Sequence, residues 1–145
     1  MNDDVEVRNR LIKLAELLLA RTREGKISWT PTDDERSFLY TASGTSAMIN
    51  STVTFDGRNQ ATLSVLNNRG TVIEKIVNEF SLRDETGLYV GEAPWNETLD
   101  DLYQAARRDA LKITSLLDNF LANLEEEGGS QDVPGSTSTS DEPPF

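Results

Sequence analysis

The chain has 145 residues, 25 of them acidic and 14 basic, and a formal net charge of −11; it holds no histidine and no cysteine. Without those two side chains a Ser-His-Asp or Cys-His nucleophile cannot be assembled within one chain, and a structural zinc site lacks its usual ligands. We therefore expect no metal site, no cofactor, no catalytic residues and no enzyme activity. Six of the eleven net negative charges come from Glu125, Glu126, Glu127, Asp132, Asp141 and Glu142, so residues 1–124 carry −5. An acidic chain is a poor binder of phosphate backbones, and no nucleic-acid partner is expected.

The opening MNDDVEVRNR is acidic and unlike an export signal. The longest aliphatic run, Leu17-Leu18-Leu19-Ala20, is far too short to span a bilayer. A cytoplasmic location without a membrane partner is the expectation, and a lack of cysteine fits a reducing compartment.

Taken in chain order, the first element is a helix from about Asp3 to Arg23, ended by Gly25. Val7, Leu11, Leu14 and Leu18 form one stripe at helical spacing, and Val5, Ile12 and Leu19 form an adjacent one. Together they are wider than a sheet can cover. The surplus stripe Val5, Ile12, Leu19 therefore marks contact with the second helix or with another subunit. Lys26–Thr30 reads as a short strand ended by Pro31, and Thr32 and Glu35 stand at capping-box spacing.

A β-meander follows. Ser37–Ala42 places Phe38, Tyr40 and Ala42 on one face, and Ser43-Gly44 suits a two-residue hairpin turn. In Thr45–Phe55, Ala47, Ile49, Val53 and Phe55 alternate with Ser46, Asn50, Thr52 and Thr54, a period of two that predicts one buried and one solvated face. Gln60–Leu66 repeats the pattern with Ala61, Leu63 and Val65 inward, and Thr71–Phe80 is the fourth strand, with Val72, Ile76 and Phe80 on one face. Residues 81–95 read as a loop with an extended piece at Leu88-Tyr89-Val90, because Gly87, Gly91 and Pro94 break any longer element.

One long helix, capped by Thr98, is predicted to run through Leu99, Leu102, Tyr103, Ala106, Ala110, Ile113, Leu117, Phe120, Leu121 and Leu124 to Gly128-Gly129. Ile113 and Leu117 are expected in the core, and Arg108 in solvent. Residues 128–145 have the composition of a disordered acidic Ser/Thr/Pro tail. The fold class is thus α+β: an N-terminal helix, an antiparallel meander of four to five strands and a long C-terminal helix, with both helices on one face of the sheet. Residues 1–127 form a single domain in this reading.

The segments GKISW (25–29), SFLY (37–40), SVLNNRGTVIE (64–74) and LYQAARRDAL (102–111) resemble a group of small uncharacterised bacterial helix–meander–helix proteins. That resemblance spans most of residues 10–124 and implies a fold, with no activity and no residue roles. The acidic composition and α+β plan are also similar to those of secretion chaperones, which are acidic dimers, although the helix between their strands is missing here.

Four residues stand out as ligand-binding candidates. Arg107 lies beside the apolar stripe one turn after Tyr103, where a guanidinium can grip an anion bidentately or pair with a nearby acid. Trp29 and Trp95 offer stacking faces and are equally suited to core or lid positions. Asp33-Asp34-Glu35 lacks the alternation and glycine of a calcium loop and reads as a solvated turn. Leu111 falls outside the helical stripe and joins Val5, Ile12 and Leu19 as candidate interface residues. The functional expectation is a non-catalytic protein-binding module that forms a homodimer. The alternative is a module that binds or sequesters a small nucleotide-like or anionic metabolite, using the Trp95 loop and Arg107.

Overall fold

The structure, a computed structural model, describes residues 2–131, with side chains from Asp4 to Glu127. Helix α1 (Asn2–Arg23) leads into strands β1 (Thr30–Pro31), β2 (Ser37–Ala42), β3 (Thr45–Val53), β4 (Asn59–Leu66) and β5 (Val72–Val77). A small hairpin, β6 (Leu82–Arg83) with β7 (Tyr89–Gly91), precedes α2 (Asn96–Ala110) and α3 (Ile113–Gln131). Strands β1 to β5 form one antiparallel sheet in chain order. The α+β class and the meander are as read from the sequence. The expected single C-terminal helix is two helices, and the chain divides into two compact units at Leu111/Lys112.

In the first unit, α1 and α2 pack on each other and on one face of the sheet. The covered face presents Phe38, Ala47, Ile49, Ser51, Ala61, Leu63 and Ile76, all buried. Against it stand Leu11, Ala15 and Leu18 of α1 and Leu99, Leu102, Ala106 and Ala110 of α2. The alanines permit close approach of the two helix backbones. Ile12 and Leu19 pack against this core cluster, so the surplus stripe of α1 is largely covered within the chain. Val5 remains 45% exposed.

The period-two reading holds for β3 only as far as Ser51. Val53 and Phe55, expected inward, are exposed: β3 ends at Val53, and Phe55 already stands in the turn with Asp56. The expected strand over Thr71–Phe80 is shorter; a bulge opposite Val65/Leu66 leaves Val72 and Ile73 exposed while Ile76 is buried. Pro31 does not end β1 but belongs to it, which an edge strand tolerates. The Ser43-Gly44 turn forms as read, with φ of 53° and 80°. Thr32 and Glu35 cap no helix: the Thr32 hydroxyl accepts from Asp34 N–H at 3.1 Å within a turn. The loop expected over 81–95 contains the β6–β7 hairpin, pinned by Asp84, whose carboxylate accepts from Thr86 Oγ1 (2.6 Å), Thr86 N–H (2.9 Å) and Leu88 N–H (3.0 Å).

Two asparagines join the sheet to α2. β5 stops at Val77, and the Asn78 side chain takes over the ladder: its Oδ1 accepts Ala61 N–H at 2.6 Å while its own N–H donates to Ala61 O at 3.0 Å. Asn78 Nδ2 donates to Asn96 O at 3.3 Å. Asn96 in turn brackets Glu79, accepting its N–H at 3.0 Å and donating Nδ2 to its carbonyl at 2.9 Å. The expected Thr98 cap is superseded, since α2 already starts at Asn96, after Trp95 and with no side-chain cap.

Lys112, at φ 53°, breaks the predicted long helix. It follows the last turn of α2 as a left-handed residue, a common helix ending even though glycine is its usual occupant. The core role expected of Ile113 and Leu117 is therefore corrected: Ile113 is half-buried and Leu117 is 53% exposed. Arg108 is exposed as expected. α3 also continues through Gly128-Gly129 to Gln131, past its expected end. The tail expectation for residues 132–145 lies outside the described residues.

Leu102→Ala should cost about 2–5 kcal/mol of stability, the range for emptying a core position. Asn78→Ala should cost about 1–3 kcal/mol, since it strands the buried Ala61 N–H. Urea unfolding followed by circular dichroism checks both; a neutral Asn78→Ala would remove the clamp from the account of the fold.

Candidate functional site

The four candidate ligand residues do not form one site. Trp29 is a core residue, 2% exposed. Its indole N–H donates to Thr22 Oγ1 at 2.8 Å, the Thr22 hydroxyl donates to Leu18 O at 2.6 Å, and its backbone N–H donates to Asp109 Oδ2 at 2.6 Å. Its ring tilts against Tyr40, with centroids 5.9 Å apart. Trp29 thus ties α1, the sheet and the end of α2 together, with no open face for a ligand.

Tyr103 and Arg107 do come together. They line a shallow depression of about 530 Å³ with Glu35, Arg36, Gln104 and Leu111. Tyr103 is nearly buried, its ring 5.8 Å from Phe38. The Arg36 guanidinium is held by Ser51 Oγ and Asn59 Oδ1, both at 3.3 Å. An adjoining recess of about 240 Å³ shares Arg36, Tyr103 and Gln104 and adds Asp100 and Asp101. Desolvation by the surrounding chain, then the nearby Asp101 charge and, more weakly, Glu92, raise the Asp100 carboxyl above its ordinary 3.8, against a lowering hydrogen bond from Asn78.

Trp95 belongs to a different place. Its indole N–H donates to Val77 O at 2.8 Å, and the Arg8 guanidinium lies 5.2 Å from its ring centre. Together they help line a groove of about 390 Å³ between α1 and β5, with Val7, Leu11, Ile76, Val77 and Leu82 as apolar surface and Asp4, Glu74, Lys75 and Glu79 as the other charged groups. A pocket between the sheet and the Trp95 loop was legible in the sequence, but the part α1 plays in it, through Val7, Arg8 and Leu11, was not.

Of the candidate interface residues, Val5 and Leu111 are exposed, and Ile12 and Leu19 are half-buried. A further run of exposed apolar side chains lies elsewhere. On α3, taken by itself, Leu116, Leu117, Phe120, Leu121 and Leu124 are all at least half exposed. The periodicity of Leu117, Phe120, Leu121 and Leu124 was visible in the sequence; the place of Leu116 beside them and the exposure of all five were not.

The Asp33-Asp34-Glu35 turn is spent on local bonds, Asp34 Oδ1 accepting Arg36 N–H at 2.9 Å. Among the described residues no group of three acidic side chains is placed to hold a metal ion, and no helix is long and apolar enough to cross a membrane. On the uncovered sheet face, Asn50 Oδ1 is buried without a hydrogen-bond partner, beside Thr62 and Ser64. Comparison with family models, with curated proteins and with solved structures finds no match.

The raised Asp100 pKa has a definite sign. Below the ordinary value of 3.8 the carboxyl is protonated in folded and unfolded chains alike and contributes nothing. As pH rises past the higher folded-state value, ionising it costs more in the fold than in the unfolded chain. Asp100→Asn should therefore raise the melting temperature at neutral pH, and the gain should vanish near pH 3. A scan of melting temperature against pH for both proteins checks this.

Proposed function

We propose that this chain is a non-catalytic protein-binding module that self-associates through α3. The observation that carries the reading is the exposed apolar seam of that helix. Ile113, Leu117, Phe120 and Leu124 follow a four-three-four spacing, the seam of a paired helix, with Leu116 and Leu121 alongside. Each large apolar side chain is worth about 1.5–3 kcal/mol when fully buried. Most of a helix's stability in a protein comes from packing of its apolar face rather than from propensity.

Charge selects a second copy and its direction. From residue 113 to 124 the seam and its flanks are uncharged, and Asp118 lies well off them, so two copies meet there without repulsion despite the acidic chain. Glu125, Glu126 and Glu127 crowd the C-terminal half. In a parallel pair they would face their own copies. In an antiparallel pair they lie towards the start of the other α3, where the helix dipole is positive and Lys112 precedes it. An antiparallel two-fold pair follows. The missing histidine and cysteine support a binding role over catalysis and suit a cytoplasmic location.

The second reading, an anionic small ligand, rests on Arg36 and Arg107 lining one depression. Glu35 in the same lining weakens it. Inorganic phosphate or nucleotides raising the melting temperature would favour it.

Light scattering at tens of micromolar tests the main reading. The chain should be a dimer, and Leu117→Glu with Leu121→Glu should give a monomer whose first unit unfolds as before. A monomeric unsubstituted chain would sink the proposal.

A further inference from the structure

The β-ladder fixes which way the backbone of β5 points. Because Asn78 N–H donates to Ala61 O, the bonded rungs of the β4–β5 ladder are Ala61/Asn78, Leu63/Ile76 and Val65/Glu74. The β3 side agrees: Thr54 N–H donates to Arg58 O, and counting along that ladder turns the backbones of Thr62 and Ser64 towards β3. Lys75 and Val77, opposite them, therefore aim their N–H and C=O groups away from β4. Trp95 confirms the direction, since its indole reaches Val77 O from that side. Among the described residues nothing bonds Lys75 N–H, Lys75 C=O or Val77 N–H. β5 is thus an open sheet edge, exposed from Val72 to Lys75.

This edge borders the groove between α1 and β5. A strand laid beside β5 would set every second side chain on the groove side, next to Glu74 and Ile76 and over Val7, Leu11 and Leu82, and the others beside Lys75 and Val77 on the uncovered face. Acidic side chains outnumber basic ones around it: Asp4, Glu74 and Glu79 against Arg8 and Lys75, with Arg8 already set over the Trp95 ring.

A second copy is a poor occupant. A two-fold pairing must set residues of the same face opposite each other, and the two registers that use the whole of β5 centre on Glu74 or on Lys75. Either one puts like charges face to face. We propose that the β5 edge and its groove bind an extended segment of another protein by strand addition, the segment setting apolar and basic side chains on the groove side and uncharged ones beside Lys75. This site is independent of the α3 seam.

The test uses the full chain and a fluorescein-labelled, amidated octapeptide in which every second residue is threonine and the others are valine and lysine in turn, read by anisotropy. Binding should be saturable and much tighter than that of the counterpart with glutamate in place of lysine. Lys75→Pro removes the edge donor without touching a β4 bond, and it should weaken binding about tenfold, as expected for losing one or two backbone hydrogen bonds. Glu74→Lys with Glu79→Lys should weaken it as well. Should Lys75→Pro not fold, the same peptide N-methylated at alternate residues applies the same cut from the other side. No saturable binding, or binding that ignores both backbone changes, overturns the proposal; the latter means charge adhesion only. A loss of oligomer mass on Lys75→Pro would make a second copy the occupant and overturn it too. Loss of α3 pairing leaves this readout unmoved.

Discussion

Asn78 is wholly buried, and the rest of the first unit hangs on its side chain. It sits where β5 must leave the sheet, and an exposed turn cannot be made under two covering helices. Its amide continues the β4–β5 ladder by one rung without extending the strand, then hands the chain to Asn96 at the first turn of α2. A buried polar network is stabilising only when its members are satisfied, and here each amide oxygen and nitrogen has a partner. The geometry fixes where α2 begins and hence which of its faces meets the sheet. Trp95, next to Asn96 in the chain, uses its indole on Val77 O, next to Asn78, and extends the same clamp to the edge of β5.

At the other end of α2, Trp29 performs the complementary task. Asp109 accepts its backbone N–H, and Thr22 accepts its indole, so the end of α2, the end of α1 and the start of the sheet meet at one residue. With both ends of α2 held, Ala15 and Ala106 can bring the helices close over Ile49 and Leu63. Surface ion pairs add little: Arg23–Asp101, at 3.6 Å, joins α1 to α2 between exposed side chains, where such pairs are worth about 0–1 kcal/mol.

The two proposed contacts use opposite physics. α3 offers side chains and no free backbone, so its affinity rests on apolar area and its specificity on where the glutamates lie. β5 offers backbone groups in a fixed direction, and the groove beside it supplies apolar surface and negative charge. Charge alone separates the occupants: a neutral seam accepts a copy of itself, whereas an edge carrying Glu74 and Lys75 at its centre does not.

Periodicity and composition determined much of this protein by themselves. The α1 stripe, the alternation of Ala47 with Ile49 and of Ala61 with Leu63, and the Ser43-Gly44 turn are local patterns, and the meander follows because short turns join neighbouring antiparallel strands. The absence of histidine and cysteine bounded the chemistry before any fold was drawn. What the sequence could not decide was where regular elements stop and what covers them. Val53 and Phe55 keep the inward phase and are exposed, because β3 ends at Val53 and Phe55 stands in the turn. Ile113 and Leu117 continue the phase of α2 in sequence but belong to a separate helix, because one left-handed residue at Lys112 ends α2 before them. Trp95 and Trp29 look alike in sequence, yet one lines an open groove and the other is sealed inside. Distances between residues far apart in the chain decide such questions, and only the tertiary structure sets them.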